Sequence, residues 1–397
     1  MKKVVVLSLI LGFFVVSCSS KSSEENTGPL QYELAIVDSV QVDMFSNGLN
    51  ISDVDVETGQ LLAIQSDPPV AYLLSAEGQV LETMKRPADD PQAVGQYILC
   101  GSFFEDGIAL MGVMRIKTYD RAFNLRKSMK FPYASSGMIY LGSNHLFEYR
   151  SQNDNLLVAY PGGPHTELPS IQEEFYKEFT IVDIVDPNAA GGDDTRLAVE
   201  GNAEVFRPIG KLEPGSRYLN GKAYYFLQPI FDVKGDQFIY AFKTDTTLYE
   251  RELPNGELTA QYKIPFDNFV LVDGNTMGPK GIEEQYEPRD RTGQVKHVYS
   301  ANEFTVVVYS SGMKLSDIRA IPEGPDKSGQ IRKIDYNKYL ILKDGERVNA
   351  NLRLPEKISY FDMADNEGYL WAHQNVNILD EEPDLITFYK LKVVPVE

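Results

Sequence analysis

Four histidines, His145, His165, His297 and His373, are among the scarcest reactive side chains in the sequence. None sits in a His-Glu-x-x-His array, and no Cys-x-x-Cys pair is present, so zinc chemistry has no sequence support. A Gly-x-Ser-x-Gly nucleophile elbow and a glycine-rich phosphate loop are also missing. A triad gathered from distant loops would leave no such local trace. Asp53, Asp55 and Glu57 stand at alternate positions, which in a strand puts three carboxylates on one face where a cation could meet them. The calcium-loop pattern fails, because Gly59 takes the seventh position and Ile64 the twelfth. These three read as a solvated or turn-capping face, and so does Asp193-Asp194. Arg289, Arg291, Lys296 and His297 form one basic cluster able to hold an anionic ligand. Glu283, Glu284 and Glu287 stand close by in sequence, so a charged turn is the simpler reading. Trp371 could stack on a sugar, but it alternates within Gly368-Tyr369-Leu370-Trp371 and reads as strand packing. No catalytic, cofactor-binding or metal-ligating residue is assigned, and no cofactor is implied.

One residue does carry a definite chemical expectation: Cys18. Lys2 and Lys3 precede an apolar stretch over residues 4–16, interrupted only by Ser8 and Gly12. That stretch falls short of the roughly 20 residues a spanning helix needs and suits a signal peptide. It ends Val15-Val16-Ser17-Cys18, which looks like the lipobox of bacterial lipoproteins, with cleavage before a lipid-modified Cys18. An ordinary signal peptide that happens to contain a cysteine is the alternative. The small, polar residues that follow cannot bury apolar area and read as a tether. Ser19 is not the Asp of enterobacterial inner-membrane retention, and Glu24-Glu25 is compatible with export to the surface. The expected division is a signal peptide over 1–17, a tether over 18–31 and one folded domain over 32–397. The expected location is the outer membrane, on its periplasmic or its cell-surface side.

Composition sets the outer limits. With 38 Lys and Arg against 57 Asp and Glu, the formal charge of −19 argues against nucleic acid and anionic lipid surfaces as partners. Beyond Cys18 the only cysteine is Cys100, so no intramolecular disulfide is expected despite an export route. Cys100 lies in the apolar run Tyr97-Ile98-Leu99-Cys100-Gly101 and reads as a small buried hydrophobe. Stability must then come from packing, which 43% hydrophobic residues can supply.

From residue 32 onward, short runs of Val, Ile, Tyr, Phe and Leu alternate with clusters of Gly, Asn, Asp and Pro. Residues 50–56, 60–64, 70–74 and 79–83 make four strands joined by hairpin-length turns, the content of one propeller blade. Similar units are read over 98–131, 137–168, 218–265, 303–352 and 358–391. The fold class expected is all-β, a six-bladed β-propeller of four-stranded antiparallel blades. Seven blades are the alternative, because residues 182–209 could hold further strands, and a pair of β-sandwiches is the plainer one. Only residues 170–179 read as helix, and residues 186–194 read as an exposed loop.

Several segments then resemble one family, the NHL-like and TolB-like six-bladed propeller lipoproteins of Gram-negative, Bacteroidetes-type envelopes. Asp53-Val54-Asp55 with Gly59 is similar to its first strand motif, and Ala76-Glu77-Gly78-Gln79-Val80-Leu81 to a later hairpin. Val94-Gly95-Gln96-Tyr97 keeps the glycine and aromatic of a third motif without its proline and glutamate. Arg115-Ile116-Lys117-Thr118-Tyr119-Asp120 resembles the next strand pair. Residues 242–249, with Asn255-Gly256-Glu257 and 260–264, resemble the family's Asp-Thr-hydrophobic-Tyr blade. The resemblance implies the fold and an envelope location and supplies no catalytic residues. The function expected is a monomeric, lipid-anchored module that binds an envelope protein or a glycan. The rival is a polysaccharide-active enzyme working at the central channel with acidic residues as acid and base. A funnel lined by groups of strongly shifted pKa would favour the rival, and an apolar plug would favour the binding module. A purely scaffolding propeller would instead show a large exposed apolar patch.

Overall fold

The computed structural model describes residues 31–44, 48–132, 145–151, 154–160, 168–189, 205–225, 227–381 and 383–396. The predicted signal peptide and Cys18 lie outside them, as do His165, Asp193 and Asp194. The described residues form six four-stranded antiparallel sheets, the blades of a propeller, and one two-stranded ribbon. Blade 1 runs inward to outward as Leu49–Val54, Leu61–Gln65, Val70–Leu74 and Val80–Lys85. Blade 2 is Cys100–Phe104, Gly107–Met111, Arg115–Tyr119 and Leu125–Lys130. Blade 3 is Leu146–Arg150, Asn155–Ala159, Thr180–Val185 and Phe206–Lys211. Blade 4 is Pro229–Lys234, Gln237–Phe242, Thr247–Glu252 and Glu257–Lys263. Blade 5 is Gln294–Ala301, Phe304–Ser310, Lys338–Lys343 and Glu346–Arg347. Blade 6 takes Ile358–Ala364, Leu370–Gln374 and Ile386–Pro395 from the C-terminal end, and its outermost strand is Tyr32–Val42.

That last exchange closes the ring. Tyr32 lies opposite Pro395 and Val42 opposite Ile386, so the two ends of the domain share one ladder. The hairpin turn of blade 1 docks on this closing strand. A Cβ at Gly78 would stand 2.2 Å from the Gln41 carbonyl oxygen, and its φ of +85° also requires glycine.

The six seams between blades hold the core. Leu62 and Ile64 face blade 2, while Leu61 and Ala63, on the other face of the same strand, pack with Val42, Trp371 and Phe388 of blade 6. Both faces of a middle strand are therefore buried, which is why the sequence reads as unbroken apolar runs instead of strict alternation. The seam between blades 3 and 4 is the aromatic one, with Tyr149, Tyr160, Phe179, Phe231, Phe238, Tyr240 and Phe242 in a single cluster. Ring contacts such as Phe231–Phe238 at 5.3 Å and Tyr218–Phe242 at 5.1 Å are edge-on, the geometry favoured by the ring quadrupole.

The expected units for blades 1 and 2 coincide with sheets, the sixth lacks the outermost strand that Tyr32–Val42 supplies, and three others need correction. The third unit does not end at residue 168: Thr180–Val185 and Phe206–Lys211 supply the outer half of blade 3 and add no seventh blade. A long connection carrying the helix Glu173–Glu178, inside the expected 170–179, separates the two halves. In the fourth, Lys222–Ala223 is no blade strand but pairs with Asn275–Thr276 in the ribbon. The fifth begins earlier, at Gln294, within the stretch read as a charged turn. Helices Pro279–Glu284, Leu315–Ala320 and Lys327–Ile334 were not anticipated. Part of the expected loop, residues 190–194, lies outside the described residues.

Closure by the first strand predicts that Val42→Ala, at a fully buried position, costs about 2 kcal/mol. Removing Tyr32–Val42 strips Leu34, Val40 and Val42 from the core and should cost several times more. Chemical denaturation measures both, and equal small losses would show that the ring does not need this strand.

Candidate functional site

The inner strands of all six blades run in the same direction around the axis and enclose a cavity of about 340 Å³ at their starting ends. Asn50, Cys100, His145, Phe231, His297 and Tyr360 are among its walls, one from each blade. A second opening of about 300 Å³ lies where the inner strands end. Its walls are acidic, including Asp55, Glu57, Glu105, Glu148 and Asp365, set against Arg121, Arg150 and Lys234.

An innermost strand has no further strand on its axial side, so alternate N–H groups there need other acceptors. Three aspartates provide them across the seams. Asp53 of blade 1 accepts the Phe103 N–H and the Ser102 hydroxyl of blade 2 through Oδ2, both at 2.7 Å. Asp232 of blade 4 accepts the Ser300 N–H of blade 5 at 2.6 Å. Asp362 of blade 6 accepts the Ile51 N–H of blade 1 at 3.2 Å. The other oxygen of Asp53 and of Asp232 takes the amide of the next residue, Val54 at 2.7 Å and Val233 at 2.9 Å. Between blades 2 and 3 a serine substitutes, the Ser102 hydroxyl accepting from the Glu148 N–H at 3.2 Å. Between blades 5 and 6 the Tyr299 hydroxyl donates to the Phe361 carbonyl at 3.1 Å. Register shifts at Ile51/Asp53 and Phe361/Met363 mark bulges that turn two of these aspartates toward the neighbouring blade.

Burial dominates the electrostatics of this ring. It pushes the Asp53 carboxyl up to about 6 and that of Asp232 up to about 7, against the amide and hydroxyl donors that favour the anion. Asp362 is raised by the same cause, with His373 and the Ile51 amide opposing. Burial pushes His145 down to about 4 and His297 down to about 3, the latter helped by His145, Lys296 and Lys243. Both imidazoles are therefore neutral at pH 7. His145 Nε2, His297 Nδ1 and Asp362 Oδ1 are screened from solvent and have no hydrogen-bond partner among the described residues. His145 packs edge-on to Phe231 at 5.3 Å, and His297 stacks on Tyr299 at 5.5 Å.

The carboxylates read from sequence do not share a strand face. The strand ends at Val54, and only Asp53 turns inward. Asp55 caps the following turn through Glu57 N–H and pairs with Arg121 at 2.9 Å, while Glu57 is exposed. The basic cluster also divides. Arg289 donates to Asn275 at 2.6 Å and Arg291 lies 3.4 Å from Asp335, whereas Lys296 and His297 stand on the inner strand of blade 5. Glu284, expected to offset that cluster, instead accepts from Thr276. Trp371 is core, its Nε1–H donated to Asp365 at 3.0 Å. Cys100 is buried, and burial pushes its thiol up, away from nucleophilic use. His373 stacks on Tyr360 at 4.5 Å and reaches Asp362 at 3.3 Å. No group of three or more His, Cys, Asp or Glu among the described residues is placed to hold a metal. The axial roles of Asp232 and Asp362 were missed in the sequence. Their signal was a single aspartate inside an otherwise apolar inner strand, as in Phe231-Asp232-Val233 and Phe361-Asp362-Met363.

No protein-family profile matches the chain, and no curated protein matches its sequence. Solved structures do share its shape. A member of the DUF4221 family from Bacteroides vulgatus superposes with a TM-score of 0.57 over 92% of this chain and 99% of that one, at 11% identity. A protein from Bacteroides fragilis described as exported gives 0.49 over 92% and 96%, at 12% identity. The β-propeller domain of Swd1 from Myceliophteria thermophila gives 0.43 over 90% and 99%, at 11% identity. The first of these likenesses shows a common fold, and identities this low extend it no further.

The buried acids and imidazoles bias stability in opposite directions. Asp53 and Asp232 bind protons more tightly folded than unfolded, so their contribution is full below about pH 4 and is lost as pH rises through 6 to 7. His145 and His297 bind protons less tightly folded, so theirs is full above about 6.5 and is lost as pH falls toward 4. Asp232→Asn should gain stability relative to wild type as pH rises from 4 to 7, and His297→Phe should gain as pH falls over the same range. Urea titrations at several pH values would record the two slopes. Differences independent of pH would contradict the burial of these groups.

Proposed function

We propose that this chain is an exported lipoprotein whose propeller binds an envelope protein or a glycan at the starting-end mouth of its channel. The carrying observation is the cavity itself: it is open, about 340 Å³ in volume, and walled by aromatic rings and hydrogen-bonding groups from every blade. Tyr360, Phe231 and the two neutral imidazoles offer stacking faces, and Asn50 and Ser52 offer polar edges. The lipobox-like Val15-Val16-Ser17-Cys18 and the polar residues after it support a lipid anchor with a tether, and with it an outer-membrane location on either face. The acidic balance of the chain supports a partner other than nucleic acid.

The channel also has the shifted titratable groups that an acid–base enzyme requires. Asp232, pushed up to about 7, has the protonation behaviour of a general acid at neutral pH. Its two oxygens, however, accept the Val233 and Ser300 amides, and Asp53 is engaged in the same way. Carboxylates fixed between blades serve the ring first, and this favours binding over catalysis.

Glycan and peptide arrays probed with the purified chain should give saturable binding that Tyr360→Ala weakens by about tenfold, with the fold intact. Equal binding by wild type and variant would move the site away from the cavity. Cys18→Ser should shift the chain from the membrane fraction to the soluble fraction, and continued membrane association would contradict the lipid anchor.

A further inference from the structure

Two lysines gather at the starting ends of blades 4 and 5 in a strongly acidic protein. Between blades 4 and 5, Lys243 follows the second strand of blade 4 and Lys296 stands on the inner strand of blade 5. The Val295 N–H donates to the Lys243 carbonyl at 2.8 Å, which ties the two segments together. Lys243 Nζ donates to Gln228 Oε1 at 3.3 Å, and Lys296 Nζ donates to Gln294 Oε1. Both lysines are half-buried, and burial, helped by the charges of Lys243 and Arg291 and opposed by Asp335, pushes Lys296 down to about 8. Arg291, on the flank, faces Asp335, whose side chain is fully enclosed, accepts the Gly312 N–H at 2.9 Å and offsets part of the charge of Lys296. Gln228 is 1% exposed, and its Nε2 donor has no partner among the described residues. A buried amide left without an acceptor is costly, because its lost hydration is not repaid. An anion placed there would accept from that amide beside two cationic side chains.

We infer that this corner of the channel mouth, formed by Gln228, Lys243 and Lys296, is a subsite for an anionic group. The ligand class is a carboxylate- or sulfate-bearing molecule, such as an acidic sugar whose ring lies on the aromatic walls of the adjoining cavity. The inference rests on the binding-module reading and narrows it to acidic ligands. The opposite mouth carries more acidic than basic side chains, Asp55, Glu57, Glu105, Glu148 and Asp365 against Arg121, Arg150 and Lys234, and is the less favourable end for the same group.

The test uses NMR chemical-shift titrations of the full chain at fixed ionic strength with sodium glucuronate, glucose and sodium sulfate. Saturable glucuronate binding that weakens about tenfold or more in Lys296→Gln and in Lys243→Gln, and is retained in Lys296→Arg, is the expected result. Thermal unfolding of each variant checks that its fold is intact. Sulfate binding as tightly as glucuronate and competing with it would make the subsite one for a free inorganic anion. Glucuronate and glucose binding alike, with no effect of either lysine substitution, would overturn the anionic subsite and leave the binding-module reading standing. Shifts that never saturate with any of the three would overturn the subsite. Were the arrays also blank, the module reading would fall with it.

Discussion

A propeller has to satisfy the axial edge of every inner strand. Each blade ends there in a row of backbone donors with no further strand to accept them, and a channel too wide for the strands to pair across cannot supply partners. In this chain Asp53, Asp232 and Asp362 answer that requirement by reaching sideways to the amide of the next inner strand. Ser102 and Tyr299 make lighter versions of the same link. The blade 3–4 seam is held differently, by a dense aromatic cluster and a Tyr149 hydroxyl donated to Asp236 at 3.0 Å. Apolar seams supply the bulk of the stabilisation, and the polar links fix how each blade is rotated and how far it stands from the axis.

The same links shape what the channel can do. Acidic side chains near the axis would be natural catalysts, yet the ones present are spent on backbone amides, and their raised affinity for protons follows from burial. Groups left free to meet a ligand are of another kind: imidazoles kept neutral, tyrosine faces and amide edges at one mouth, bordered by lysines. The two mouths differ in character. The walls at the strand starts are mostly aromatic, imidazole and uncharged polar groups beside the buried Asp232 and Asp362, and those at the strand ends are charged, with acids outnumbering Arg121, Arg150 and Lys234.

Much of the architecture was legible in the sequence because it is written in local terms. Runs such as Leu61-Leu62-Ala63-Ile64 between Gly59 and Asp67 mark a strand buried on both faces, and their repetition marks blades. Burial of Cys100 and Trp371 followed from the same runs. Legibility failed where the partner lies far away in the chain. The outer half of blade 3 is cut off from the inner half by the connection containing Glu173–Glu178, so residues 182–209 read as possible strands of a surplus blade. Asp53 was noticed for its spacing to Asp55 and Glu57, but its real partner is Phe103 on another blade. Lys296 and His297 were grouped with Arg289 and Arg291 by proximity, and only the ring sorts them into channel and flank.

The most direct measurement is hydrogen–deuterium exchange of the amides that receive these side chains: Ile51, Phe103, Glu148 and Ser300. If the inner ring is held as described, these four exchange as slowly as the central-strand amides of their own blades, through global unfolding alone. Replacing Asp53 with Ala then releases Phe103 selectively. Fast exchange at all four in the intact chain, at the rate of exposed edge amides, would contradict the account and leave apolar packing as the sole bond between blades.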